Sequence, residues 1–305
     1  MPDRPIQTRR CREQDLLPVA RLITRTFNEL RTRTGKDPIS DWPRRPNPLF
    51  QHMLRTDPTR FRCAWRGKRM VGFAGALLRG KQWYLAFLFV DPRYQDRGVG
   101  RRLLQEVWHE GSGVSHSLST MAYNMQAVGL YSRFGMLPRI FFTMMQARPE
   151  RFVRPGATGL TAAGELGPAD RRWIDRLESR VRGFFRRPEW DFWIREAKVH
   201  PFLFRRGRRR IGYGVVSEGG MIGPVGVEEE ADLPDVLAET LRCASDPDRE
   251  RPSGWRATLF CPHPQAEIYA SLLESGFRNR EMLLLMSDAP YGDFRRYVPA
   301  SLALL

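Results

Sequence analysis

Long apolar segments are missing from this sequence of 305 residues. The longest purely apolar run, Trp83 to Val90, suits a buried strand and is far too short to cross a bilayer. The first residues, Met1 to Pro5, lack the apolar core that a signal peptide needs. We therefore expect a globular, cytoplasmic protein without a membrane partner.

Cysteine is scarce, and the four present are Cys11, Cys63, Cys243 and Cys261. They show neither a Cys-x-x-Cys pair nor the Cys/His spacing of a metal site. The sequence therefore predicts free thiols in a reducing compartment and no bound metal.

Acidic residues are outnumbered, 34 against 50 basic ones, and the net charge is +16. Such a charge attracts anions in general, so nucleic acid, an anionic membrane surface and a polyphosphate cofactor all fit it equally well. The densest basic cluster, Arg205 to Arg210, falls at a predicted hairpin turn without interleaved aromatic residues. A solvated turn is favoured there over a nucleic-acid contact.

The two halves of the chain resemble each other. Gly67 to Phe73 matches Gly207 to Tyr213 at an offset of 140, and Gly135-Met136 matches Gly276-Phe277 at an offset of 141. Two separate matches at nearly the same offset indicate a duplicated unit, and so long a period indicates tandem domains.

We predict an α/β (α+β) protein with domains at 1–150 and 151–305. A segment rich in glycine, proline and alanine, Pro149 to Gly167, is the predicted linker. Each half alternates strand and helix patterns in the same order, which predicts a mixed central sheet flanked by helices.

The most informative segment is the strand-to-helix turn after Val90. Asp91-Pro92 ends a buried strand, because proline cannot continue a ladder. Gln95-Asp96-Arg97-Gly98-Val99-Gly100-Arg101 then places two glycines at the start of an amphipathic helix. The unpaired N–H groups of a helix N-terminus attract anions, and glycine lets a pyrophosphate approach the backbone.

Two motifs together resemble the GNAT superfamily of N-acetyltransferases. The turn matches the family's Gln/Arg-x-x-Gly-x-Gly/Ala loop. Asn124 to Met136 resembles its Asn-x-x-Ala-x-x-Leu-Tyr-x-x-x-Gly-Phe helix. The resemblance covers most of residues 5–146, and the duplication makes this a tandem form of the family with a C-terminal GNAT-like domain.

This resemblance implies a site for acetyl-CoA, the co-substrate of the family. Backbone groups of one strand end would pair with the pantetheine arm, the loop would hold the pyrophosphate, and Asn124 would contact the cofactor arm. Tyr131 would protonate the leaving thiolate as the general acid. The implied cofactor-binding residues are Leu88, Phe89, Val90, Gln95, Asp96, Arg97, Gly98, Val99, Gly100, Arg101 and Asn124.

The general base stays unassigned. The family often places a carboxylate on the strand before the asparagine, but the segment Ser115 to Ala122 contains none. Its polar residues include His116, Ser117 and Ser119. The missing carboxylate favours an amine of low pKa or deprotonation through water.

The second half departs from the motifs. Glu228 to Asp232 replaces the phosphate loop with carboxylates that would repel a pyrophosphate. Gln265 and Leu272 stand at the positions of Asn124 and Tyr131. We therefore expect a degenerate domain and one active site per chain.

The sequence predicts an acyltransferase that moves an acetyl group to a primary amine of a small molecule or peptide. A regulatory or sensor protein that binds acyl-CoA without catalysis is the alternative. A nucleic-acid partner is not favoured, a homodimer is compatible with the sequence, and the acceptor has no signature.

Overall fold

A computed structural model describes residues 5–39, 41–196, 198–246, 251–263, 265–290, 292–301 and 303. By packing, the chain divides into two compact units, Met1–Leu118 and Ser119–Leu305. The domain boundary predicted near residue 150 from the internal repeat stays a prediction.

The first unit is built on a sheet with strand order β1-β2-β3-β4-β5. Neighbouring strands are antiparallel except for β4 and β5, which are parallel. The last strand begins in this unit and ends in the second. The strands are β1 (Gln7–Arg10), β2 (Phe61–Arg66), β3 (Arg69–Arg79), β4 (Gln82–Val90) and β5 (Ser115–Met121).

Three helices accompany this sheet: α1 (Leu16–Arg33), α2 (Pro48–Thr56) and α3 (Val99–Val107). The apolar residues of α1 recur at helical spacing and form its buried face, as the sequence predicts. The start of α2 is fixed by Asn47, whose side chain accepts a hydrogen bond from the N–H of Leu49.

The prediction of four free thiols is wrong for two of them. Cys11 and Cys63 form a disulfide, with their Cα atoms 5.5 Å apart. The N–H of Cys11 donates to the carbonyl of Phe61 just beyond the β1–β2 pairing, so the two cysteines come from adjacent antiparallel chains. Because 52 residues separate the two cysteines, their spacing along the chain does not indicate this contact. Cys243 and Cys261 are free.

The same disulfide bears on metal binding. Among the described residues, one group of three possible metal ligands lies together, namely Cys11, Asp15 and Cys63. Two of these atoms are the bonded sulfurs, and Asp15 is paired with the guanidinium of Arg9 at 2.6 Å.

The second unit contains two sheets, ordered β12-β6-β11 and β13-β10-β9-β8-β7. Its strands are β6 (Leu137–Ala147), β7 (Thr161–Ala163), β8 (Val199–Arg206), β9 (Arg209–Ser217), β10 (Ile222–Val227), β11 (Ala257–Pro262), β12 (Arg278–Ser287) and β13 (Tyr297–Val298). Its helices are α4 (Met125–Ser132), α5 (Pro168–Arg182), α6 (Arg187–Arg195), α7 (Leu233–Ala244) and α8 (Ala266–Glu274). None of the described helices is both long and apolar enough to cross a membrane.

Strand β6 pairs with strands from the far end of the chain. Met144 lies opposite Glu281 of β12 on one side and opposite Phe260 of β11 on the other, and both pairings are antiparallel. A strand that the sequence places at the end of the first repeat is thus enclosed by two strands of the second repeat.

A buried charged cluster joins α5 to the other sheet of this unit. Glu178, with 0% exposure, accepts hydrogen bonds from Arg186 at 3.1 Å and from the hydroxyl of Tyr213 at 2.6 Å. Burial by itself raises the pKa of Glu178, but the guanidinium groups of Arg186 and Arg182 lower it below its ordinary value. Glu178 is therefore a structural anion held by its partners.

Candidate active site

Strand β4 leaves its parallel neighbour halfway along its length. Gly75 of β3 lies opposite Phe87 and Ala76 lies opposite Leu85, so Ala86 is an extra residue, a β-bulge. The pairing of β4 with β5 ends with Leu85 opposite Leu118. Because a bulge bends its strand, β4 departs from the parallel ladder at this point.

Beyond the bulge, the backbone groups of β4 alternate between two directions. The N–H of Asp91 donates to the carbonyl of Val71 on β3 at 2.9 Å. Since successive residues of an antiparallel strand face opposite edges, Phe89 directs its backbone groups to β3. Leu88 and Val90 direct theirs to the other edge. Of the three residues predicted to pair with the pantetheine arm, only Leu88 and Val90 therefore present backbone groups at the edge of β4 that faces away from β3.

The carbonyl of Val90 is already engaged. The Gln95 side chain donates to it from Nε2 at 3.1 Å, and the Thr26 hydroxyl of α1 lies 3.5 Å from it. Gln95, the first residue of the loop motif, therefore ties the loop to the strand end. This contact gives a structural role to a residue that the motif match placed among the cofactor contacts.

The strand end is fixed by the carboxylate of Asp91, which is 1% exposed. Arg25 of α1 and Arg69 of β3 contact its Oδ2 at 3.1 Å and 2.7 Å. Its Oδ1 accepts the N–H of Arg93 at 3.2 Å, which caps a single 3-10 turn at Pro92–Tyr94. The chain thus leaves the sheet in a defined direction.

The phosphate loop, Gln95 to Arg101, contains two residues in left-handed backbone conformation. Asp96 has φ +58° and Gly98 has φ +76°. A Cβ added at Gly98 would meet nothing within 4 Å, so the backbone angle and not crowding requires glycine there. The carbonyl of Gly98 accepts the N–H of Arg102 at 3.0 Å, which begins α3.

This geometry leaves a row of hydrogen-bond donors available. None of the backbone N–H groups from Arg97 to Arg101 donates to another described residue. A run of N–H groups at a helix start carries partial positive charge and forms an anion-binding concavity. The exposed side chains of Arg97 and Arg101 add full positive charges. The loop has the donors and the charge that a pyrophosphate requires.

The second motif lies in the second unit and forms helix α4. The Asn124 side chain accepts the N–H of Ala127 at 3.4 Å and so caps the helix, while its Nδ2 bonds to no described residue. Gly135, with φ +83°, follows the helix end, and the N–H of Met136 donates to the carbonyl of Tyr131 at 3.2 Å. The motif's Asn and Gly thus fix the two ends of the segment.

Tyr131 has the properties of a proton donor. Its side chain is 6% exposed, and its hydroxyl makes no hydrogen bond with a described residue. Burial raises the pKa of the phenol above its ordinary value, because the phenolate would be poorly solvated. The hydroxyl therefore carries its proton at neutral pH.

The polar residues of β5 do not supply an obvious base. His116 is buried, its ring stacks on Trp108 with 3.9 Å between centroids, and its Nε2 lies 2.8 Å from the carbonyl of His109. Ser117 accepts a hydrogen bond from Gln82 at 2.6 Å. The Oγ of Ser119 is buried and has no partner among the described residues.

A carboxylate that the sequence analysis missed lies next to the second motif. Glu281 of β12, 8% exposed, accepts a hydrogen bond from the hydroxyl of Tyr123 at 3.2 Å. The N–H of Ala122 donates to the carbonyl of Met282 at 3.0 Å. The turn that precedes Asn124 is therefore attached to β12. Tyr123 and Glu281 are 158 residues apart along the chain, and no signal in the sequence joins them.

The corresponding positions of the second repeat are engaged differently. Asp232 ends a 3-10 turn before α7 and pairs with Arg206 at 2.8 Å, and Glu228 pairs with Arg180. Leu272 is buried, and the Gln265 side chain donates to the carbonyl of Phe294 at 2.8 Å. That this half is degenerate stays a prediction, and these contacts agree with it.

The basic hairpin turn between β8 and β9 is largely ion-paired. Arg205 and Arg210 both contact Asp170, at 2.7 Å and 2.9 Å. Arg206 contacts Asp235 at 2.9 Å. Arginines that are neutralised by carboxylates contribute little to binding phosphates.

Part of the chain matches a known family. Residues 25–136 match the model of the acetyltransferase (GNAT) family, a segment that includes the bulged strand, the phosphate loop and helix α4. The chain contains a GNAT acetyltransferase domain. Over 105 residues it is 32% identical to the N-alpha-acetyltransferase RimI of Mycobacterium tuberculosis, which corresponds to 33% of this chain and 63% of the relative.

Solved structures extend the GNAT fold to nearly the whole chain. A putative acetyltransferase from Pyrococcus horikoshii matches with a TM-score of 0.72 and 15% identity, over 98% of this chain and 96% of the other. A tandem GNAT protein from the clavulanic acid biosynthesis pathway matches with a TM-score of 0.62 and 13% identity, over 94% and 99%. The predicted mixed α/β fold with tandem GNAT-like domains is confirmed.

Proposed function

We propose that this GNAT protein transfers an acetyl group from acetyl-CoA to a primary amine. The observation that carries the proposal is the row of N–H groups from Arg97 to Arg101, which donate to no other described residue and suit a pyrophosphate. Leu88 presents its backbone groups, and Val90 its N–H, on the open edge of β4, and the pantetheine arm would lie along that edge. Tyr131 supplies the proton donor.

In the proposed reaction the acceptor amine attacks the thioester carbonyl carbon directly. The C–N bond forms, the C–S bond breaks, and the electron pair of that bond goes to sulfur. Tyr131 gives its phenolic proton to the thiolate, a role that requires its hydroxyl within reach of the sulfur. The amine loses one proton, so the reaction also needs a proton acceptor on the other side.

As the proton acceptor for the amine, we propose Glu281. The family often places a carboxylate on the strand before the asparagine, and the strand before Asn124 has none. Glu281 lies beside the turn leading into helix α4, where it accepts the hydrogen bond from Tyr123. It would take the amine proton directly or through water, and the second repeat would thereby contribute to the site of the first.

As the substrate that receives the acetyl group, we propose the α-amine of a peptide or protein N-terminus. The curated relative is an N-alpha-acetyltransferase. An α-amine of pKa about 8 is neutral in roughly one molecule in ten at pH 7, whereas a lysine amine of pKa about 10.4 is neutral in roughly one in a few thousand. An α-amine therefore makes the smaller demand on a base.

A thermal shift experiment with acetyl-CoA and a thiol-release screen over peptides, lysine derivatives and small amines tests the proposal. We expect acetyl-CoA to raise the melting temperature and a peptide with a free α-amine to release CoA. Stabilisation without thiol release from any amine would favour the acyl-CoA sensor. An unchanged melting temperature at saturating acetyl-CoA would reject both functions.

A further inference from the structure

An open groove with a strongly basic lining lies in the first unit. It runs between α1, the β2–β3 hairpin and the segment around Trp42, and its volume is about 860 Å³. This volume is in the range of small-molecule sites. Five cationic side chains line it: Arg21, Arg25, Arg66, Lys68 and Arg69.

The groove contains more positive charges than the described acidic groups neutralise. Arg25 and Arg69 share the buried carboxylate of Asp91. Arg21 makes one hydrogen bond with a described residue, to the carbonyl of Pro43 at 3.4 Å. The Lys68 ammonium contacts no acidic or accepting group among the described residues. Charge is left for a ligand, and arginine favours phosphate because its planar fork matches two oxygens.

Two aromatic residues also line the groove. Trp42 is 49% exposed, and among the described residues of the first unit only Ile39 and Trp42 are large apolar side chains with such exposure. Tyr94 is buried, with the guanidinium of Arg66 5.5 Å from its ring centroid and its hydroxyl 3.1 Å from that arginine. An exposed indole beside cationic groups is the combination that binds a flat base and its phosphates.

The groove is separate from the phosphate loop within this unit. The loop residues from Arg97 to Arg101, whose N–H groups donate to no other described residue, do not line it. Tyr94 stands between the two features, because Arg97 lies over the same ring, 5.7 Å from the centroid, and Arg66 belongs to the groove.

We propose that this groove binds a second phosphorylated ligand of the nucleoside diphosphate class, independently of the acyl-CoA site. The phosphates contact Arg21 and Lys68, and the base stacks on Trp42. Phosphate chemistry is assigned because four of the five cations are arginines. The inference does not depend on the proposed transferase activity, since it concerns binding by another part of the first unit.

Isothermal titration with ADP tests the proposal on the intact protein. The double variant Arg21→Gln/Lys68→Gln removes the two groove cations that no described carboxylate neutralises. The matched control, Arg187→Gln/Lys198→Gln, removes the same charges from side chains that are 73% and 75% exposed in the second unit. With CoA at saturation, so that the phosphate loop is occupied, we expect one ADP per chain, a loss of about tenfold or more in affinity for the groove variant, and little change for the control.

Two further titrations define the ligand and the site. Trp42→Ala is expected to weaken ADP more than pyrophosphate, because only ADP has a base to stack. ADP is expected to bind the groove while CoA is saturating, and the groove variant is expected to bind CoA normally.

Five results would overturn the proposal. Loss of ADP binding at saturating CoA, together with weaker CoA binding by the groove variant, would make the groove part of the acyl-CoA site. Equal weakening in the control variant, or binding without defined stoichiometry, would show general attraction to a basic protein. Tighter binding of an acidic peptide than of ADP would assign the groove to protein substrates. No binding of ADP by the wild type would reject a nucleotide site outright.

Discussion

Replacement of Tyr131 by phenylalanine separates acid catalysis from folding and cofactor binding. The change removes one oxygen and keeps the buried ring in place. Because the hydroxyl makes no hydrogen bond with a described residue, its loss leaves no described donor or acceptor unpaired. We therefore expect the free energy of unfolding at pH 7 to stay within about 1 kcal/mol of wild type.

The catalytic effect should be much larger. A positioned general acid contributes about a hundredfold to ten-thousandfold to the rate, so kcat should fall by that factor in Tyr131→Phe. The affinity for acetyl-CoA should be nearly unchanged, since the phenol acts when the C–S bond breaks. Stopped-flow measurement of thiol release with a peptide amine, together with calorimetric titration of acetyl-CoA, gives the two quantities separately.

The pH dependence provides a second test of the same residue. Burial raises the pKa of Tyr131 in the folded protein above the value in the unfolded chain, so folding favours the protonated phenol. This contribution to stability is complete below about pH 10, the ordinary pKa of tyrosine, and is lost as the pH rises toward the folded pKa. The variant should lose less stability than wild type over that interval.

The alkaline decline in rate that deprotonation of Tyr131 would cause should also be absent at moderate pH. Wild-type kcat should show no decline due to Tyr131 between pH 7 and about pH 9, because the phenol stays protonated there. Equal kcat in wild type and Tyr131→Phe across this interval would refute the acid role. A parallel loss of acetyl-CoA affinity and kcat would make Tyr131 a binding residue instead.

Three other changes test separate parts of the structure. Gly98→Ala forces alanine to φ +76°, which should cost about 1–2 kcal/mol of stability and weaken acetyl-CoA binding. The control Gly35→Ala, at φ +73° and equally open, should cost similar stability and leave binding intact, and thermal shift with and without acetyl-CoA measures both effects. Glu281→Gln should lower kcat/KM for a peptide amine by about a hundredfold. The same change at Glu239, another buried carboxylate, should not lower it, and equal turnover of both variants would remove Glu281 from the reaction. Cys11→Ser should lower the free energy of unfolding by about 2–4 kcal/mol in denaturant titration, and equal stability with and without reductant would argue against a disulfide.

The local parts of the candidate site were predictable from sequence because local chain geometry creates them. Proline after a buried strand, glycine at a left-handed position and an apolar period of 3.6 residues are enough to specify a strand, a tight turn and a helix. Gly98 is where the motif requires it, and Gly135 ends α4 for the same reason. Asn124 caps the helix that it begins.

Predictions that depended on backbone direction within the site were less secure. The motif match treated Leu88, Phe89 and Val90 alike, yet successive residues of an antiparallel strand face opposite edges. Only the hydrogen bond from Asp91 to Val71 reveals which edge each residue faces. Gln95 similarly turns out to contact the strand carbonyl of Val90.

The sequence by itself determined the family motifs, the anion-attracting loop and the repeat that indicates two related halves. Tertiary structure decided which distant residues meet: Cys11 with Cys63, β6 with β12, and Glu281 with Tyr123. It also decided the burial that raises the pKa of Tyr131 and the gathering of five cations in one groove. Spacing along the chain specifies backbone geometry over a few residues, whereas these contacts depend on how sheets pair and what packs on them.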